Sequence, residues 1–228
     1  MNNPKFYRIF KYNKNLIPNN YVKELESQIA DSNIDREKPN EEAINKTGFT
    51  CGYPEWGILY YCVLCNMDPS IHNNILETGT NIGLSSIILA QGIKDSGIKG
   101  SLDTIEINEN YYNQSKNNIL KSGLSDIINQ HLNNSINFLE KNKKKYQIVF
   151  LDGDHKYESV MKEFELIYKN LNNNAIVIFD NTYEIDKIDG RVNKALIDIK
   201  KKYGGNIVNF PFCSWYTPGV AIWQKNKF

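Results

Sequence analysis

The residues best equipped for chemistry sit at the ends of two apolar runs. In IVFLDGDHKYESV (148–160) an apolar strand leads straight into Asp152, Asp154 and His155, with Tyr157 just beyond. In AIVIFDNTYE (175–184) the next apolar strand delivers Asp180 and Asn181. If the two strands are neighbours, Asp152, Asp180 and Asn181 converge. Two carboxylates and an amide oxygen are hard donors that suit Mg2+ or Ca2+, with octahedral positions left over for water and substrate. Asp and Asn also cap loops and form turns, which is the structural alternative for all three.

A second chemical element is ILETGTNIGLSS (75–86). An apolar strand ends in Glu77, the chain turns through Gly79 and Gly83, and an apolar-periodic helix is expected from Ile82 to about Asp95. Gly79 can take backbone angles closed to other residues. Gly83 lets a ligand or the strand come close to the helix, whose free N–H groups attract a carboxylate or phosphate. The spacing E-x-G-x-x-x-G-x-S differs from the G-x-G-x-x-G of dinucleotide folds. One strand later, LDTIEINENYY (102–112) again ends in an acid, Glu106, where a carboxylate accepts hydrogen bonds from two ribose hydroxyls.

Both elements need a sheet to hold them. Strands are expected at 74–78, 100–106, 127–132, 146–152 and 174–180, separated by helices at 82–95, 109–122, 135–143 and 157–171. The last of these carries Val160, Phe164, Ile167 and Leu171 on one face. Val192, Leu196, Ile199 and Tyr203 mark a further helix, stopped by Gly204-Gly205, and strands at 206–210 and 219–224 close the chain as a hairpin. Upstream lie an amphipathic helix at 21–32 and a polar stretch at 33–50, the expected arm or lid. A helix from Pro54 to about Asn66 follows, apolar nearly all round and so expected to be buried. Such alternation forces an α/β, doubly wound, mostly parallel sheet with ligands at the carboxyl ends of its strands.

Composition narrows the partners. With 27 basic and 26 acidic residues the net charge is +1, so no field draws the chain to nucleic acid or to anionic lipid. No apolar run reaches membrane-spanning length and MNNPKFYRIFKYNKN lacks a signal-peptide core, so a soluble, cytoplasmic protein with no membrane partner is expected. Cys51, Cys62, Cys65 and Cys213 lack a second metal-ligand pair and read as reduced core thiols. The lysines of 141–145 read as a solvated helix end, and His72 and His131 as surface or core residues. Trp56, Trp215 and Trp223 read as packing, with Trp215 in a loop able to touch substrate.

The motifs Glu-x-Gly-x-x-x-Gly-x-Ser, Ile-Glu-Ile-Asn, Leu-Asp-x-x-His and Asp-Asn-Thr, in this order, resemble the class I S-adenosylmethionine-dependent methyltransferases. Within these they resemble the divalent-metal-dependent O-methyltransferases of the catechol and caffeoyl-coenzyme A type. The DGDHKYE run is similar to a related bacterial group in which D-G-D-H-x-Y is typical. The resemblance covers about 51–228, implying a helical arm or lid (1–50) followed by a methyltransferase domain (51–228) with seven strands in the order 3-2-1-4-5-7-6. It implies Glu77, Gly79, Thr80, Asn81, Gly83 and Ser85 around the methionine part of the cofactor and Glu106 and Ile107 at the ribose. Asn134 and Ser135 would face the adenine, and Asp152 the cofactor's reactive end. Asp152, Asp180 and Asn181 become ligands of Mg2+ or another divalent cation. His155 takes the position of the family's basic lysine; with a titration nearer neutral pH it is one candidate base, and adjacent Lys156 the other.

The expected reaction is methyl transfer from S-adenosylmethionine to a hydroxyl of a small sugar or phenolic acceptor, with a homodimer left open. The alternatives are a metal-free methyltransferase or hydroxylase-like enzyme on the same scaffold, and a non-catalytic cofactor-binding subunit.

Overall fold

The structure is a computed structural model and describes residues 13–30, 52, 54–182, 191–210 and 219–226. Seven strands form one sheet: β1 (Asn73–Thr78), β2 (Gly100–Glu106), β3 (Ile128–Leu132), β4 (Tyr146–Leu151), β5 (Leu171–Asp180), β6 (Asn206–Phe210) and β7 (Val220–Gln224). Their spatial order is the expected β3-β2-β1-β4-β5-β7-β6. The first five run parallel, and β7 enters antiparallel between β5 and β6. This is the doubly wound α/β, Rossmann-like sheet of class I methyltransferases.

Helices α1 (Asn20–Ala30), α2 (Glu55–Asn66), α3 (Leu84–Ser96), α4 (Glu109–Ser122), α5 (Ser135–Lys141), α6 (Tyr157–Tyr168) and α7 (Arg191–Tyr203) connect or flank the strands. The central strands are buried on both faces, as parallel strands must be when helices cover both sides. One face packs Ile75, Leu102, Phe150 and Ile178 against Leu59 of α2 and Ile88 of α3. The other packs Leu76, Val149, Val177 and Trp223 against Phe164 of α6 and Ile199 of α7.

Several boundaries differ from the sequence reading. Helix α3 begins at Leu84 rather than Ile82, because Gly83 caps it in the left-handed region at φ 88°. Leu171, counted on a helix face from its period, opens β5 instead, and α6 ends at Tyr168. The asparagines at 170 and 172–174 explain this, since their side chains compete for local backbone groups and Asn174 takes φ 59°.

Helix α2 is not buried all round. Trp56, Leu59 and Val63 face inward, and a Cβ on Gly92 of α3 would meet Val63 Cβ at 2.9 Å, so the two helices touch closely there. Tyr61 on the outer side is 63% exposed. Cys65 is exposed as well, and Cys62, half-buried, has its thiol pushed up to about 12 by burial and by Cys65. The core-thiol reading is thus corrected for Cys65; Cys51, Cys213 and Trp215 lie outside the described residues.

Lys144 is no idle member of a solvated cluster. Its Nζ lies 2.7 Å from Oδ2 of buried Asp103, which His131 Nε2 also meets at 3.1 Å. A carboxylate inside a sheet needs such partners. Of the segment expected as an arm, residues 13–25 pack on the core: Ile17 and Val22 are buried, Asn19 Nδ2 donates to Gln91 of α3 at 2.9 Å, and Tyr21 to Asn118 of α4 at 2.7 Å.

Candidate active site

The strand order reverses direction between β1 and β4, the topological switch point at which open α/β sheets bind ligands. A cavity of about 670 Å³ opens there, running from Glu106 and Asn134 on one side to Asp152, His155 and Asp180 on the other.

Its floor is the glycine turn. Gly79 stands at φ 89° and Asn81 at φ 48°. Gly79 N and Thr80 N donate to Ile105 O of β2 at 3.0 and 3.2 Å, while Asp152 N donates to Thr78 O at 3.0 Å. The turn is thereby stitched to both neighbouring strands. A Cβ on Gly79 would lie 2.1 Å from the Asp152 carbonyl oxygen. Gly79 therefore answers to two constraints at once, its dihedral and the passage of β4.

Glu106 is held from both sides. Its Oε2 accepts from Asn81 N at 2.7 Å and its Oε1 from Asn108 N at 2.8 Å. With a backbone donor on each oxygen, the Glu106 carboxylate is held in a set orientation on the cavity wall.

Glu77 lies behind this turn, fully buried. Thr104 Oγ1 donates to its Oε2 at 2.6 Å, Ser86 Oγ donates to the same oxygen, and Thr80 Oγ1 joins Thr104 Oγ1 at 2.5 Å. Burial pushes its carboxyl up to about 7, against the pull of the Ser85, Ser86 and Thr104 hydroxyls. Among the expected cofactor residues, Glu77, Thr80, Gly83 and Ser85 are not on the cavity wall, whereas Gly79, Asn81, Glu106, Ile107, Asn134, Ser135 and Asp152 are. Gly83 faces Ser115 of α4, whose Cβ would be 3.1 Å from an added Cβ, so its close approach is to a helix rather than to a ligand or strand.

Asp152 and Asp180 meet where β4 and β5 end side by side. Burial first, then the neighbouring Asp180 carboxylate and the charge of Glu55 at the start of α2, push the Asp152 carboxyl well above the usual carboxylate range. Asp180 Oδ1 is buried with no hydrogen-bond partner. His155 Nε2 comes within 3.8 Å of Asp152 Oδ1, and one ligand atom from each of Asp152, His155 and Asp180 falls within a 4.8 Å span. An orphaned carboxylate oxygen beside a second carboxylate and an imidazole fits a divalent cation by donor chemistry. Asn181 adopts φ 55° and borders the cavity. Thr182 Oγ1 donates to Asn209 Oδ1 of β6 at 2.9 Å.

The two candidate bases part company. Lys156 Nζ turns to Asp154 Oδ2 at 3.4 Å, in solvent, and is not on the cavity wall, whereas His155 is. Asp154, named from the sequence without a role, lines the cavity; Tyr111, Asn133 and Gly153 also line it and Glu55 adds its field, and the sequence reading missed these four as site residues. Tyr111 was findable as an aromatic in the first turn of the helix that follows Glu106. Glu55 carries no signal, because acids in a first helical turn are ordinary.

Beneath the site, Glu163 of α6 is 2% exposed, and Thr78 Oγ1 donates to its Oε2 at 3.4 Å. Burial pushes its carboxyl up to about 7, opposed by Ser135 and Thr78. A raised acid binds a proton in the folded chain that the unfolded chain has already released. Its contribution is therefore intact below about 4.5 and declines as pH rises through 7. Glu163→Gln should match the parent in stability at pH 4 and exceed it at pH 8, by up to about 3 kcal/mol. Parallel melting curves across that range test this.

Comparisons with known proteins agree with this architecture. Residues 76–182 match the family model of a methyltransferase domain. That segment is thus similar to a methyltransferase domain, on a sheet with the class I fold. An O-methyltransferase from Bacillus cereus, solved in complex with SAH, superposes with a TM-score of 0.68 at 18% identity, covering 92% of this chain and 93% of that one. The O-methyltransferase TomG of Streptomyces achromogenes, involved in tomaymycin synthesis and solved with SAM, gives 0.65 at 18%, covering 89% and 96%. An rRNA methylase from Streptococcus thermophilus gives 0.59 at 11%, covering 75% and 96%, so the likeness of fold spans different acceptors. An uncharacterized protein of Acanthamoeba polyphaga mimivirus is 36% identical over 56 residues, 23% of this chain; the match spans a quarter of that relative's length.

Proposed function

We propose that the protein is an S-adenosylmethionine-dependent O-methyltransferase acting on a hydroxyl of a small molecule, with Asp152, Asp180 and Asn181 holding a divalent cation, Mg2+ by preference. The observation that carries this reading is one cavity with a backbone-anchored Glu106 at one end and the Asp152–Asp180 pair, with its orphaned Oδ1, at the other. That cavity accommodates a nucleoside whose reactive end meets a site for hard cations. The division into a helical arm (1–50) and a methyltransferase domain (51–228) belongs to the same proposal. So does a cytoplasmic setting, supported by the fact that no helix among the described residues is long and apolar enough to cross a membrane.

In the proposed mechanism Glu106 accepts the ribose hydroxyls beside Ile107, while Asn134 and Ser135 face the adenine. Asp152 orients the methionine end, and the Gly79 turn lets it lie against the backbone. When bound, the cation supplies Lewis-acid activation of the acceptor hydroxyl. His155 takes the hydroxyl proton at Nε2, and Asp152, 3.8 Å away, steadies the imidazolium that results. Holding donor and acceptor in line contributes up to roughly 7–11 kcal/mol of barrier reduction.

Titration calorimetry with S-adenosylmethionine, with Mg2+ and with chelator, tests the reading. Micromolar binding is expected, and Glu106→Ala should weaken it about 30-fold or more, the loss of two charge-assisted hydrogen bonds. Absence of binding under every condition would remove the reading. Full turnover in chelator would move it to the metal-free alternative.

A further inference from the structure

We infer that Asn193 and Asn209, neither of which lines the cavity, are positioning residues that hold the Asn181 amide at the cation site; the inference rests on the cation reading above. Asn193 stands in the first turn of α7 and Asn209 on β6, at the edge of the sheet. They meet at Thr182, the residue after Asn181.

Thr182 is 1% exposed, and all of its polar groups are engaged. Its N–H donates to Gly219 O at 3.2 Å, its Oγ1 donates to Asn209 Oδ1, and its carbonyl oxygen accepts from Asn193 Nδ2. Asn209 Nδ2 donates to Asn193 Oδ1 at 3.0 Å and closes a ring. Each amide gives one N–H and accepts one hydrogen bond, so truncating either residue breaks two links at once. Sheet register brings the two together. Asn209 pairs with Ala221 and Ala221 with Phe179, and these last two cluster with Val192 and Ala195 of α7.

The ring acts on Asn181 through its backbone. Asp180, the last residue of β5, is still paired with Val220, and Thr182 is bound on its other side, so Asn181 spans two anchored neighbours. It does so at φ 55°, a left-handed conformation that a residue other than glycine keeps where its surroundings impose it. That conformation sets the direction of its amide. The residue borders the cavity with Asp180, whose Oδ1 is buried without a hydrogen-bond partner. Released from the ring, Asn181 can relax to an extended backbone and carry its amide away from Asp180. Groups that orient a metal ligand from behind typically change metal affinity by about 10-fold to 100-fold.

The test titrates Mn2+, which takes the same oxygen donors as Mg2+, into the full chain and reads the free ion by electron paramagnetic resonance. Asn209 is exposed, where truncation ordinarily leaves stability nearly unchanged, so Asn209→Ala should keep the parental melting temperature and S-adenosylmethionine affinity. It should nevertheless bind Mn2+ about tenfold more weakly or worse, and Asn193→Ala should do the same. Asn181→Ala should lose at least as much, and adding Asn209→Ala to it should cost nothing further, because the ring works only through that amide. Parental Mn2+ affinity in Asn209→Ala, or a further loss when it is added to Asn181→Ala, overturns the inference and leaves the cation reading standing. No uptake of Mn2+ by the parent overturns both. The expected Mn2+ pattern in a chain that does not bind S-adenosylmethionine supports the ring and counts against the reaction.

Discussion

Replacing Asp180 by alanine should lower turnover at least about 100-fold while leaving S-adenosylmethionine affinity within about threefold. The separation follows from geometry. Asp180 belongs to the acid pair at one end of the cavity, and Glu106, with its two backbone N–H donors, lies at the other. Removing Asp180 takes away the orphaned Oδ1 and the like charge that raises the Asp152 carboxyl, so the local demand for a cation falls. Stabilisation of the parent by millimolar Mg2+, read as a thermal shift, should accordingly vanish in the variant. A variant with parental turnover would sink the cation role. One that loses cofactor affinity in parallel with turnover would instead make Asp180 a general scaffold residue.

The second large effect concerns Gly79. Gly79→Ala puts a methyl group 2.1 Å from the Asp152 carbonyl oxygen and 2.6 Å from its carbonyl carbon, at φ 89° where an L side chain is already strained. The obstruction is backbone and cannot swing away. Either β4 moves away from β1, opening the Asp152 N to Thr78 O bond, or the turn flips and withdraws the Gly79 and Thr80 N–H groups from Ile105 O. The expected loss is about 3 kcal/mol or more of stability. Whatever folds should bind S-adenosylmethionine at least about tenfold more weakly, since Asp152 and the turn form one wall. Denaturant melts with calorimetry on the folded fraction measure both. Gly123→Ala is the control: it shares a positive φ, 72°, but an added Cβ meets nothing within 4 Å, so it should cost only about 1 kcal/mol.

Local rules made the strands, their acid ends and the glycine turn legible. Apolar runs of five to seven residues between turn signals read as buried strands, whereas the insertion of β7 between β5 and β6 was implied by the family resemblance and by no local rule. Glu106, Asp152, Asp180 and Asn181 were visible because each ends such a run, and strand ends are where an α/β sheet exposes polar groups. Leu171 was misassigned because period alone cannot separate the last turn of a helix from the first residue of a strand when asparagines lie between.

Long-range facts had no such local trace. Nothing adjacent to Glu55, Lys144 or Glu163 in the chain announces that one adds its charge to the field at Asp152, one neutralises Asp103 and one is buried beneath Thr78. Each depends on a partner 41 to 97 residues away in the chain, counting from Lys144 to Asp103 and from Glu55 to Asp152. Which of His155 and Lys156 borders the cavity was equally open along the chain. It turns on side-chain direction after β4, where His155 meets Asp152 and Lys156 turns outward to Asp154. Sequence periodicity therefore determined which residues stand at the strand ends, because burial of alternate side chains is a local demand. Pairing and reach were decided only when the sheet brought those ends together, because charge and desolvation act through space and not along the chain.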